Sequence, residues 1–129
     1  MKSRLRVTLA ALAILVLSAA TAYAHTPMLY VEDMRDGTIY LEGGFSDGSS
    51  AAGVKIYLVE DALFKSDTAA RDEYLEALFA IFRSQLDQYG ELVLRKPKGK
   101  YLVVFDAGPG HVVVKKGPAL TDAERKQSK

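Results

Sequence analysis

The sequence predicts an all-β protein: an antiparallel β-sandwich that carries one short helical insertion and follows an N-terminal signal helix. Three observations lead to this prediction. The chain starts with a basic and apolar leader, continues with short runs of β-branched, aromatic and aliphatic residues, and places turn-forming residues between those runs. Roughly six or seven such runs in a chain of 129 residues are typical of a single two-sheet domain.

Residues 1–24 have the pattern of an export signal. A basic start is followed by an apolar run over 7–16, and Ala22-Tyr23-Ala24 supplies the small residues after which signal peptidase cleaves. An uncleaved anchor is the alternative, because roughly 18–20 apolar residues suffice to span a bilayer. Cleavage would make the protein periplasmic or secreted, and retention of the leader would attach it to a membrane.

The composition of the mature part excludes several classes of function. The leader contains three of the 17 basic residues and none of the 16 acidic ones, so the remainder has a net charge of −2, unlike a protein that binds nucleic acid. The chain has no cysteine, which excludes disulfides and thiolate metal sites. The metal donors that remain, chiefly imidazole, carboxylate and amine, suit Ni(II), Co(II), Cu(II) or Zn(II).

The first three strands are predicted from residue type and alternation. Met28–Met34 and Thr38–Phe45 form a hairpin around the compact turn Arg35-Asp36-Gly37. After a polar loop, residues 54–59 alternate as a third strand with at least one buried face.

Residues 60–86 have a less regular pattern. Asp67 is suited to cap a helix over Thr68–Phe79, whose apolar stripe is expected to cover the sandwich core. The turn Asp87-Gln88-Tyr89-Gly90 then predicts a hairpin between Phe79–Leu86 and Glu91–Arg95.

The last part of the domain contains the most strand-like run. Residues 101–105 are apolar throughout, as in a central strand, and residues 111–114 begin the final strand. The basic residues between 95 and 100 are predicted to form a solvated turn, and the polar residues 121–129 a frayed end. We therefore divide the chain into a leader (1–24), a β-sandwich domain (25–117) and a polar C-terminal tail (118–129), with immunoglobulin-like topology expected for the sandwich.

Both histidines of the chain occupy positions that suit a metal site. Cleavage after Ala24 would give His25 a free α-amine, and this amine and the imidazole Nδ1 can chelate one divalent ion. His111 ends the glycine-rich turn that begins at Asp106. In many sandwiches the first strand runs parallel beside the last, which would bring the two histidines together. Asp106 would then bind the metal or orient His111, and Glu32, Asp33 and Asp47 are weaker candidates.

An enzyme is not predicted. The two histidines are the proposed ligands, and no serine lies in a nucleophile elbow, so hydrolase chemistry lacks both its base and its nucleophile. Oxidative catalysis at a copper ion on the N-terminal histidine is disfavoured because the small mature chain offers little surface for a polymer substrate.

Four short motifs in order resemble a known family. They are His25, the turn Phe45-Ser46-Asp47-Gly48, the segment Asp87–Leu92 and the turn Asp106–His111. The chain resembles the additional periplasmic component of nickel and cobalt energy-coupling-factor transporters, which is itself similar to carboxypeptidase-regulatory-type immunoglobulin-like sandwiches. The resemblance implies that His25 and His111 bind nickel or cobalt, with Asp106 in support, for delivery to a membrane transporter subunit. The insertion around residues 61–77 departs from the expected pattern.

Two other functions stay open at this stage. A periplasmic copper carrier would use the same donors, which bind Cu(II) more tightly than Ni(II). A structural or interaction module without a metal would make both histidines incidental.

Overall fold

The computed structural model describes residues 1–9, 25–63 and 80–127, and within them seven strands form two antiparallel sheets. Residues 2–9 are helical. One sheet has three strands in the order β1-β2-β5, and the other has four in the order β4-β3-β6-β7. The strands are β1 (Pro27–Asp33), β2 (Thr38–Phe45), β3 (Lys55–Glu60), β4 (Ala80–Gln85), β5 (Glu91–Arg95), β6 (Tyr101–Asp106) and β7 (Val112–Lys116).

The predicted all-β class and most of its strands are confirmed. The hairpin β1–β2 closes over Arg35 and Gly37, which both have positive φ. β3 pairs with β4 on one side and with β6 on the other, so β6 is an interior strand as its apolar sequence predicts. A 3₁₀ turn, Asp61–Leu63, follows β3. The predicted helix over Thr68–Phe79 lies outside the described residues.

The hairpin predicted around Asp87–Gly90 is wrong. β4 pairs with β3 and β5 pairs with β2, so the turn carries the chain from one sheet to the other. The crossing is stabilised because Leu86, which is almost wholly buried, donates its N–H to Val54, while Gly43 donates its N–H to Gly90. Leu86 and the β5 residues Leu92 and Leu94 thus face the core between the sheets, whereas Ile81 and Phe82 of β4 are exposed.

The main core lies between the two sheets. It contains the inward side chains of both sheets, with Ile39, Leu41, Ile56, Val103 and Phe105 fully buried. A second buried cluster, made of Tyr57, Val59, Leu102 and Val104, alternates with these residues along β3 and β6 and therefore lies on the opposite face of the four-stranded sheet. The two central strands of this sheet are buried on both faces.

The prediction of a solvated basic turn is confirmed for Arg95, Lys98 and Lys100 and wrong for Lys96, and the prediction of a frayed tail is wrong over Asp122–Gln127. Lys96 is not solvated: its side chain is 0% exposed, and its Nζ lies 2.6 Å from Asp33 Oδ1 and 2.7 Å from Glu124 Oε1. Residues 122–127 of the tail are not frayed, since Asp122–Gln127 forms a helix that places Glu124 in this cluster. A buried ammonium requires carboxylate partners, and the tail supplies one of them.

Glu124 connects the tail to the sandwich through several bonds. Its carboxylate accepts hydrogen bonds from Lys96 Nζ and from the backbone N–H groups of Gly37 and Thr121. Chiefly because of the bond from Lys96, with the Thr121 N–H next, the pKa of Glu124 falls to about 2 from an ordinary value of 4.5. The carboxylate is therefore charged throughout the neutral and mildly acid range.

We expect Glu124→Gln to make stability less sensitive to acid. A carboxyl group whose pKa is depressed in the folded state stabilises that state above its unfolded pKa, and this stabilisation is lost as pH falls toward the folded pKa. For Glu124 the loss should occur between about pH 4.5 and pH 2. Thermal melts followed by circular dichroism should show a shallower decline of Tm over this range in the variant. Glu32→Gln, which alters an exposed carboxylate of β1, should keep the original slope, and equal slopes in all three proteins would contradict the assignment.

Candidate functional site

The start of β1 is held against the turn that follows β2. Thr26 donates its N–H to Ser46 Oγ at 3.1 Å and accepts the Ser46 N–H on its carbonyl oxygen at 2.9 Å. This pairing continues the β1–β2 register by one step, in which Pro27 lies opposite Phe45. The next step places His25 opposite Asp47, and the two side chains meet with His25 Nδ1 2.6 Å from Asp47 Oδ2.

Asp47 is preorganised by its own turn. Its Oδ1 accepts hydrogen bonds from the N–H of Ser49 at 2.9 Å and from the Ser49 hydroxyl at 2.6 Å, while Gly48 takes the positive φ that the turn needs. These two bonds, the hydroxyl first, lower the pKa of Asp47, and the nearby His25 lowers it further. Oδ2 is therefore an ionised oxygen directed at the imidazole, and 60% of the His25 side chain is exposed to solvent.

Asp106 and His111 lie at the two ends of one tight turn. The turn is closed by the Ala107 N–H bonded to the His111 carbonyl at 3.0 Å and by the His111 N–H bonded to the Gly108 carbonyl at 2.9 Å. Asp106 Oδ1 accepts the N–H of Gly108 at 2.9 Å, and His111 Nδ1 lies 3.2 Å from the carbonyl oxygen of Pro109. The predicted turn is confirmed, with Gly108 and Gly110 at positive φ.

The two turns lie at the same end of the sandwich. Phe45 at the end of β2 packs edge to face on Phe105 of β6, with ring centroids 5.9 Å apart. Beside the second turn is an open cleft of about 590 Å³. Its walls come from the end of β2, the start of β3 and the second turn, and they include Phe45, Val54, Lys55, Tyr57, Asp106 and Pro109. We call this region the turn end of the sandwich.

The structure brings the predicted site residues together in pairs. β1 and β7 contact each other but belong to different sheets, so the expected parallel pairing of first and last strands is absent from the described sheets. His25 contacts Asp47, whereas Asp106 and His111 share the second turn. In the described parts of the chain, no three side chains of His, Cys, Asp or Glu are grouped as a metal site. A single site made of His25, His111 and Asp106 stays a prediction.

The three weaker candidate metal ligands, Asp47, Asp33 and Glu32, lie at different distances from His25, and Asp47 alone of them contacts it. Asp47 is the acidic side chain that contacts His25, although from sequence its turn reads as an ordinary loop. Asp33 lies at the far end of β1, where it pairs with Lys96, and Glu32 is exposed beside it. The contact between Asp47 and His25 could have been predicted from the hairpin, because a register centred on Asp36 places residue 25 opposite residue 47.

The chain matches no protein-family profile, no curated protein sequence and no solved structure. Among residues 1–9, 25–63 and 80–127, no helix is long and apolar enough to cross a membrane.

Proposed function

We propose that this protein is a non-enzymatic, extracytoplasmic metal-binding protein that captures nickel or cobalt for an uptake transporter. The observation that carries the proposal is the 2.6 Å contact between His25 Nδ1 and an ionised, preorganised oxygen of Asp47. Cleavage after Ala24 would add an α-amine on the same residue as the imidazole. Amine, imidazole and carboxylate would then converge at the turn end of the sandwich.

The chemistry of these donors is consistent with a borderline divalent ion. The amine and Nδ1 of an N-terminal histidine close one chelate ring, and a neighbouring carboxylate supplies charge neutralisation. Asp106 and His111 belong to the second turn at the same end, and they are the residues we assign as further ligands on the basis of the family resemblance. The nickel or cobalt preference rests on that resemblance.

The exposure of His25 fits capture and release better than permanent binding. A structural metal is usually enclosed by four protein ligands, whereas here the imidazole is largely open to solvent. An ion held there would be accessible to a partner that removes it. A membrane transporter subunit is the partner that this proposal requires.

Native mass spectrometry of the exported protein tests the proposal. We expect a chain that begins at His25 and binds one Ni(II) or Co(II) ion at limiting metal. A variant with one alanine retained ahead of His25 keeps the imidazole but converts the amine to an amide, and it should lose most of the bound metal. Equal occupancy in the two proteins, or none in the mature chain, would overturn the proposal.

Copper is the second metal that the donor set favours. The same ligands bind Cu(II) more tightly than Ni(II) in the order of divalent first-row metals. The capture proposal for nickel requires that cells lacking the protein lose nickel or cobalt accumulation. A defect confined to copper content would assign the protein to copper handling instead.

A further inference from the structure

The outer face of the three-stranded sheet combines exposed apolar and acidic side chains. Met28 and Tyr30 of β1 and Val93 of β5 point outward, with Tyr30 53% and Val93 59% exposed. The cross-strand register places Tyr30 beside Glu42, and Tyr40 between Glu32 and Val93. These side chains therefore form one continuous surface, which we call the acidic aromatic face.

Charge is distributed unequally between the two sheets. The outward positions of this sheet contain three carboxylates, Glu32, Glu42 and Glu91, and a single basic side chain, Arg95, while Asp33 lies on the inner face and pairs with Lys96. The four strands of the other sheet contain four basic side chains and two carboxylates. A partner approaching the acidic aromatic face would need positive charge to match it.

One pair on this face violates a general rule of sheet stability. Glu42 and Glu91 lie directly opposite each other on β2 and β5, and like charges in this position destabilise a sheet. Such departures from local optimisation are typical of functional surfaces. A cation placed between the two carboxylates would relieve the repulsion.

Tyr40 fixes part of this arrangement. Its hydroxyl donates a 2.8 Å hydrogen bond to Glu91 Oε1, and this bond raises the pKa of Tyr40 to about 12, so the phenol remains a donor. The ring and the carboxylate are thus held side by side. A guanidinium group suits such a pair, because it stacks on an aromatic face and also forms two parallel bonds with a carboxylate.

We propose that the acidic aromatic face docks an arginine-bearing segment of a protein partner, with guanidinium groups over Tyr30 and Tyr40 and against Glu42 and Glu91. Met28 and Val93 would contact apolar side chains between the arginines. This surface is independent of the proposed metal site, since it lies on the sheet face and not at the turn end.

The test is a nuclear magnetic resonance titration of the purified protein with the peptide acetyl-Gly-Arg-Leu-Arg-Gly-amide. We expect shifts concentrated at Tyr30, Tyr40 and Val93. The double variant Glu42→Gln, Glu91→Gln should weaken binding about fivefold, the sum of one exposed and one half-buried charge contact. Glu60→Gln, an exposed carboxylate on the other sheet, should leave binding unchanged. Metal occupancy should be the same in all these proteins, which separates failure of this proposal from failure of the metal proposal.

Three outcomes would overturn it. The control peptide is acetyl-Gly-Lys-Leu-Lys-Gly-amide. If it binds as tightly as the arginine peptide, the face attracts any positive charge and does not recognise guanidinium groups. Shifts spread over both sheets would show non-specific attraction. The same shifts on raising the protein concentration without peptide would identify a second copy of the chain as the occupant.

Discussion

Asp47→Asn is expected to weaken Ni(II) binding by the exported protein about 10- to 100-fold, because an ion on His25 Nδ1 replaces the proton that Nδ1 shares with Asp47 and then has the carboxylate oxygen as its neighbour. The reason is geometric. Oδ1 of Asp47 accepts both bonds from Ser49, and an amide oxygen at the same position can accept them too. Oδ2 is the atom that faces His25 Nδ1, and in asparagine it becomes an uncharged NH₂ group. The substitution therefore keeps the turn and removes the charge.

Asp36→Asn is a matched control for this experiment. Asp36 forms the same kind of turn, with its Oδ1 accepting the N–H of Thr38 at 2.9 Å and the Thr38 hydroxyl at 2.5 Å, but it lies at the opposite end of the hairpin. Competition with a chromophoric chelator measures affinity in both variants. Unchanged affinity in Asp47→Asn would remove Asp47 from the site, and an equal loss in Asp36→Asn would attribute the effect to turn stability.

Local patterns predict a large part of this fold. The β1–β2 hairpin follows from a compact turn between two β-rich runs, and the interior position of β6 follows from its unbroken apolar sequence. Both signals are contained within a few consecutive residues. The contact between His25 and Asp47 is of the same kind, because counting outward from Asp36 along the hairpin pairs these two positions. That contact could have been predicted from the sequence.

Sheet membership could not be predicted in the same way. The turn Asp87–Gly90 has the residues of a hairpin turn, and Asp87 Oδ1 does accept the N–H groups of Tyr89 and Glu91. Whether the flanking strands pair with each other depends on partners elsewhere in the chain. β3 and β2 offer those partners together with a shared core, and their burial decides against the hairpin.

The burial of Lys96 could not be predicted from local sequence for a related reason. In sequence it is one of several basic residues around Pro97, and nothing nearby distinguishes it from Lys98 or Lys100. Its burial depends on Glu124, which follows 28 residues later in a segment whose composition is that of a solvated tail. A long-range ion pair of this kind leaves no periodic signal.

Lys96→Met is expected to lower Tm by roughly 10–20 °C in a domain of this size, because it leaves the buried Glu124 carboxylate without its ammonium partner. The stem of the side chain is approximately preserved, so the cost comes from the charge. Glu124 would remain buried without an ammonium partner, although Gly37 and Thr121 still donate their N–H groups to it. Burial lowers the pKa of Lys96, but the bonds to Asp33 and Glu124 outweigh it and the net shift is upward, so the ammonium is charged at neutral pH.

Thermal denaturation of four variants, namely Lys96→Met, Glu124→Gln, their double variant and Lys98→Met, separates charge from packing. Lys98→Met replaces an exposed lysine in the same turn and should leave Tm within a few degrees of the parent. The double variant Lys96→Met, Glu124→Gln should recover part of the lost Tm. It also removes the carboxylate charge that Lys96→Met leaves without an ammonium partner. A fully additive double variant would mean that the two side chains do not stabilise each other.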